Sequence, residues 1–221
     1  MADITRDRIL KRLHKAAAQA PDISPVACLP TAAYDRTHRL ERLITLMSAM
    51  RTQIETANSR DWVDRLQAIL KNRNLKRLLY SPETAMGREL QDAWPAESQE
   101  LPALCSWKGQ AEDFKDELFQ IDAAITTTMG AIAETGAIVL WPDEKEPRLM
   151  SLVPPVHIAV LAADRVYNTF CEIIQAEKWS DHMPTNALLI SGPSKTADIE
   201  MTLAFGVHGP RELIVLIIDE T

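Results

Sequence analysis

Residues 187–200, Ala187-Leu188-Leu189-Ile190-Ser191-Gly192-Pro193-Ser194-Lys195-Thr196-Ala197-Asp198-Ile199-Glu200, read as an apolar strand that ends in Ser-Gly-Pro and a helix that begins near Thr196. A strand–loop–helix junction of this kind is the building unit of an α/β fold, and open α/β sheets bind ligands in the crevice beyond their strand carboxyl ends. A helix N-terminus at that point offers free N–H groups and a positive dipole end to an anion, which Lys195 would reinforce. The run is not a Walker A loop, because the second glycine and the Gly-Lys-Ser/Thr order are missing. The plain alternative is a turn with Thr196 as N-cap and Asp198 and Glu200 in the first helical turn, and position alone does not separate the two.

Working outward, apolar runs at 157–161, 187–191 and 213–218 predict strands, with helices over 164–177 and 196–205 between them. Together these make consecutive βαβ units, whose parallel strands need right-handed crossovers. Upstream, strands are expected at 75–80, 123–128 and 137–141, and a helix over 82–93 with Ser81 as N-cap and Pro82 at the first helical position. Residues 94–113 are ambiguous. Before residue 74 the periodicity is helical. One amphipathic helix runs over 4–20, a proline-broken linker over 21–33, a second helix over 35–57 and a third, capped by Ser59, through Trp62 and Leu70. The expected organisation is a helical segment over 1–73 packing on the core, and an α/β core domain over 74–221.

The 221 residues, 46% of them hydrophobic, suffice to bury a core without staples. Cys28, Cys105 and Cys171 are odd in number and scattered, so neither a disulfide framework nor a cysteine-ligated metal is expected, and a reducing cytoplasm is the natural compartment. No stretch approaches the roughly 18 apolar residues of a membrane span. The net charge of −7 hides an asymmetry: residues 1–80 carry 15 Lys+Arg against 8 Asp+Glu, the rest 9 against 23. Such opposed fields suit docking between copies or onto a partner, although solvated helix faces account for most of these charges. A pI of about 5.3 and 5% aromatic residues argue against nucleic-acid binding.

Three further segments carry reactive residue types. In residues 133–140 an acid and a hydroxyl, Glu134 and Thr135, sit on a turn that enters a strand, with Gly136 supplying a permissive backbone. Glu134 there could accept a proton or bind a substrate hydroxyl; plain turn chemistry is the alternative. In residues 148–158, Arg148 suits a carboxylate or phosphate and His157 could relay protons, though a lone His at a strand start is more often structural. In residues 205–212, His208 stands between Gly206 and Gly209, in what is otherwise a helix C-cap and turn. No HExxH, GxSxG or GxGxxG occurs, so standard protease, hydrolase and dinucleotide-dehydrogenase chemistry is unsupported.

Taken together, Glu134-Thr135-Gly136, Arg148 with Ser151-Leu152-Val153-Pro154-Pro155-Val156-His157-Ile158, residues 191–200, and Gly206-Val207-His208-Gly209-Pro210-Arg211-Glu212 resemble the lactate utilization protein C family, the single-domain LUD proteins, in order and spacing. The resemblance covers about 122–218 and implies a Rossmann-like mixed, largely parallel sheet flanked by helices, similar to the NagB/RpiA/CoA-transferase-like superfamily. It further implies an accessory subunit of a system that oxidises L-lactate to pyruvate. The iron–sulfur clusters of that system would sit on companion subunits, with no cofactor and no metal in this chain. Three readings follow. In the first, the segments converge on one crevice: Lys195, Arg148 and the Thr196 helix N-terminus hold a small anionic metabolite or cofactor phosphate, Glu134 and His157 manage protons, and His208 lines the wall. Thr135, Gly136, Ser191, Gly192, Ser194, Asp198 and Glu200 complete that binding set. In the second, the chain is an assembly or regulatory subunit for iron–sulfur partners. The third, an independent transferase or isomerase, has no assignable catalytic Glu.

Overall fold

The computed structural model describes residues 2–18, 34–71, 73–96, 98–107, 114–197, 203–205 and 209–220. Residues Met1–Thr31 and Ala32–Thr221 form two compact units. The first contains helix α1 (Ala2–Ala18), whose Ile9, Leu10 and Leu13 are exposed. The linker expected over 21–33 lies outside the described residues.

The second unit opens with α2 (Arg36–Ala49), started by Asp35, whose carboxylate accepts the His38 backbone N–H at 2.9 Å. Then come β1 (Gln53–Ala57), α3 (Trp62–Leu70), β2 (Arg77–Tyr80), α4 (Ala85–Ala93), β3 (Ala103–Ser106), α5 (Lys115–Leu118) and β4 (Ala123–Thr127). The middle of the chain supplies β5 (Gly130–Ile132), β6 (Ala137–Leu140), α6 (Arg148–Leu152), β7 (Val156–Ala162), β8 (Val166–Tyr167) and α7 (Phe170–Ala176). It closes with β9 (Leu188–Ile190), β10 (Lys195–Ala197), β11 (Leu203–Phe205) and β12 (Glu212–Ile218).

Six strands in the order β1-β12-β7-β4-β2-β3 pair parallel throughout, which is the α/β architecture expected. A parallel sheet is buried on both faces. On one face, Leu78, Ile125, Ile158, Ile214 and Leu216 pack with Trp62, Leu66 and Leu70 of α3 and Leu90 of α4. The alternate residues of the same strands, Ala159, Leu161, Leu213 and Val215, meet Leu43 and Met47 of α2 and Ala131, Ile138 and Leu140 of a second sheet. Beyond them on that face, Leu79 and Ala124 pack with Leu118 of α5 and Met150 of α6. The second sheet, ordered β8-β5-β6-β9, is covered on its outer side by Ile173 of α7 and by Trp179.

Several expectations are corrected. The helix expected over 35–57 stops at Ala49, and residues 53–57 form edge strand β1, registered Gln53 to Ile214 and Ala57 to Ile218. Ile54 follows Met47 by seven residues and so mimics the helical stripe, but the open edge of β12 claims its backbone. Ser59 does not cap α3; the position before Trp62 is Asp61, whose carboxylate accepts the Asn58 N–H. Likewise α4 starts three residues later than expected, capped by Thr84, whose hydroxyl accepts the Gly87 N–H at 3.0 Å. β9 is not a third parallel strand: it pairs antiparallel with β6 in the second sheet, so the βαβ run over 157–218 skips it. Cys105 is a free thiol.

Ile158, fully buried between β12 and β4, tests the sheet face that meets α3 and α4. Ile158→Ala should cost roughly 2–5 kcal/mol in urea unfolding. A loss within about 0.5 kcal/mol, as a surface change gives, would remove that face from the core.

Candidate functional site

A cavity of about 260 Å³ opens where the first residues of β7 and β12 meet the last residues of β9, and Ser151, His157, Ser191, Gly192, Ser194 and Leu213 are among its walls. It lies beyond the carboxyl end of β9, as the Ser-Gly-Pro turn predicts. However, β9 belongs to the second sheet, so in the parallel sheet the cavity abuts amino-terminal residues and not the carboxyl ends expected.

The walls are fixed from several directions. The Ser191 carbonyl accepts the Thr52 hydroxyl at 3.3 Å, and the Ser194 N–H donates to the Pro210 carbonyl at 2.8 Å. At Gly192 a Cβ would come within 2.8 Å of the Met50 carbonyl oxygen, so this turn needs glycine to lie against the end of α2. Arg211 and Glu212 both donate backbone N–H groups to the Pro155 carbonyl, tying the start of β12 to the start of β7.

His157 is the one ionisable wall among the described residues. It is 1% exposed, its Nε2 is hydrogen-bonded to Thr126 Oγ1 at 2.8 Å, and its Nδ1 is buried without a partner. Burial alone pushes its pKa down to about 4, so the imidazole is neutral at physiological pH. The hydroxyl of buried Ser151 donates to the Arg148 carbonyl at 2.9 Å.

The other expected residues divide. The described residues of the helix expected over 196–205 are strand instead: Lys195–Ala197 is β10, paired antiparallel with β11 through Lys195–Phe205 and Ala197–Leu203. Thr196 is therefore not an N-cap, and the helix-dipole argument for an anion falls with it. The ladder, not a cap, takes up these backbone groups. Lys195 is exposed, its Nζ donating to Met50 Sδ at 3.6 Å. Asp198, Glu200 and His208 lie outside the described residues.

Glu134 and Thr135 are exposed on the β5–β6 turn and are not among the cavity walls. Gly136 there has φ +63°, and a Cβ on it would lie 2.4 Å from Leu46 Cβ. The register of Ile138 on Ile190 brings this turn and the Ser191–Ser194 turn to one end of the β6–β9 pair, both against the last turns of α2.

Arg148 is exposed at the start of α6 and borders a smaller cleft with Thr126, Thr127 and Glu146, which shares the Ser151 wall with the cavity. Glu146 was missed from sequence because Asp143-Glu144-Lys145-Glu146 reads as a solvated charge run. Its Oε2 accepts Thr127 N–H at 2.9 Å and Thr127 Oγ1–H at 2.5 Å, its Oε1 is buried without a partner, and desolvation raises its pKa. Thr126 carried no signal either, since only the fold brings it to His157. Among the described residues, no three His, Cys, Asp or Glu side chains cluster as a metal site, and no helix is long and apolar enough to cross a membrane.

A family model described as the LUD domain matches residues 40–218. An uncharacterized protein of Neisseria meningitidis is 37% identical over 182 residues, 81% of this chain and 77% of that protein. Lactate utilization protein C 1 of Bacillus mycoides is 27% identical over 85% of this chain and 83% of its own length. Lactate utilization protein C of Deinococcus radiodurans is 38% identical over 103 residues, 46% of this chain and 49% of that protein. The crystal structure of a DUF162 family protein from Deinococcus radiodurans superposes with TM-score 0.61 at 21% identity, over 85% of this chain and all of that one. It supports the fold.

The buried imidazole ties stability to pH. The unfolded chain protonates this histidine near 6.5 and the folded chain only near about 4, so the unfolded state holds more protons between those values. Stability should therefore fall as pH drops from 6.5 towards 4, by up to about 3 kcal/mol at roughly 1.4 kcal/mol per unit of pKa difference. Urea unfolding of wild type and His157→Gln at pH 7 and pH 5 checks this. Equal slopes in the two proteins would remove His157 as the source.

Proposed function

The chain belongs to the LUD-domain family, and from that premise we propose that it serves L-lactate utilization as a cytoplasmic subunit of a system oxidising L-lactate to pyruvate, holding a small anionic metabolite or cofactor in the cavity beside His157. The names of relatives such as lactate utilization protein C 1 of Bacillus mycoides support the pathway. The observation that carries the binding role is the cavity itself. At about 260 Å³ it falls just below the roughly 300–1,000 Å³ of sites for drug-sized ligands, which suits a molecule of a few heavy atoms.

Its chemistry suits the same class. Serine hydroxyls and turn amides are donors for carboxylate oxygens, and a neutral imidazole can accept from or donate to a substrate hydroxyl. Ser191, Gly192, Ser194 and His157 face the ligand in this reading. Lys195 and Arg148 add positive field from outside the walls, and Glu134 with Thr135 and Gly136 forms the neighbouring turn. Oxidation of a 2-hydroxy acid releases two electrons, which iron–sulfur companion subunits would accept, leaving this chain to bind and orient.

The uneven charge, basic before residue 80 and acidic after it, favours a second reading in which the chain is an assembly or regulatory subunit. Deleting the gene and scoring growth on L-lactate separates them. Slow growth is expected, rescued by wild type but not by a folded, cavity-filling Ser194→Phe variant. Normal growth of the deletion strain would remove the pathway reading, and rescue by Ser194→Phe would leave the assembly role.

A further inference from the structure

We infer that the cavity takes a small monocarboxylate, and that the ligand's binding is coupled to uptake of one proton by His157. The inference rests on the reading of the cavity as a ligand site and goes on to its ligand class and its charge balance.

The starting observation is a lack of charge. Among the described residues, the walls other than His157 are serines, glycines, prolines and aliphatic side chains. An anion brought into such a place loses its hydration and gains no fixed cation, which is costly in a low-dielectric site. The charged groups on the surrounding elements are engaged or set apart. Arg148 of α6 and Glu146 before it border the other cleft, across Ser151. Lys195 of β10 is exposed against Met50. On β12, Glu212 is paired with Arg73 at 2.7 Å, and Arg211 before it is exposed. β4 offers Thr126 and Thr127, and β9 offers no charged residue. Burial is the influence resolved on His157.

The second observation is the state of the ring. One nitrogen is held by Thr126, and the other is buried with no partner. An unpaired buried nitrogen costs stability, and a wall group in that state is poised to gain from a ligand. A carboxylate is the partner that satisfies it best. In the imidazolium both nitrogens donate, Nε2–H to the Thr126 hydroxyl and Nδ1–H to the carboxylate, and no acceptor is left unmatched. The opposite charge at contact distance favours the protonated ring and reverses the effect of burial.

The balance is simple. The anion brings one negative charge, the imidazole takes one proton from solvent, and the buried pair is neutral. A phosphate dianion would leave one charge uncompensated, so the same walls select against it. The hydroxyls of Ser191 and Ser194 remain for the second carboxylate oxygen and for a 2-hydroxy or 2-oxo substituent.

Calorimetric titration of the full chain with acetate, L-lactate, pyruvate and inorganic phosphate, in buffers of different ionisation enthalpy, reads the protons taken up per ligand. About one proton is expected for each monocarboxylate, with affinity rising about tenfold per pH unit from pH 8 to pH 6 and phosphate binding weakest. In His157→Gln the pH dependence should vanish. If that variant does not fold, the wild-type buffer series still decides the matter, and Thr126→Val, which keeps the packing volume, should weaken the uptake. Monocarboxylate binding without proton uptake, or phosphate binding more tightly, overturns this inference and leaves the cavity as a ligand site. No binding of any of the four overturns both.

Discussion

A parallel sheet cannot leave a face to water, and the architecture follows from how this one is covered. α3 and α4 cover one face with a continuous apolar layer. The other face is covered by three separate pieces: α2, the second sheet, and the pair α5 and α6. Two of these pieces end over the first residues of β7 and β12, and the cavity is the gap between them. Its position at the amino ends of the parallel strands is thus a consequence of covering and not of the strand-end rule for open sheets.

What the sequence reveals depends on whether a residue's role is local. The strands at 75–80, 123–128, 137–141, 157–161 and 213–218 are legible because apolar runs and flanking turns record them residue by residue. Which sheet a run joins is not local. Leu188-Leu189-Ile190 carries no mark that distinguishes a parallel partner from β6, and Ile54 sits in phase with Met47 although one faces a ladder and the other a helix stripe. The segment 196–205 is rich in helix-favouring residues, yet both of its described ends pair as strands, an override of propensity by tertiary pairing.

The same division runs through the site. Ser191, Gly192 and Ser194 stand out in sequence because the turn after a strand is where walls form, and His157 stands out as a lone histidine. Nothing in sequence shows that His157 is sealed from solvent, since that depends on Thr126, on the approach of β9's turn to Met50, and on α6. Lys195 illustrates the converse. A lysine beside a Ser-Gly-Pro turn suggests an anion site, but its strand carries it to the outside. Glu146 is the clearest loss: four charged or acidic neighbours in a row imply solvent, and only the fold turns one of them inward onto Thr127.

Two ionisable groups, buried His157 and half-buried Glu146, lie on either side of the Ser151 wall, and burial acts on them in the same sense: it disfavours the charged form of both. It lowers the histidine's pKa and raises the carboxyl's. Thr126 and Thr127, adjacent on β4, are their respective hydrogen-bond partners, so a single strand end sets both. One wall thus separates two proton-active groups whose charged forms burial disfavours.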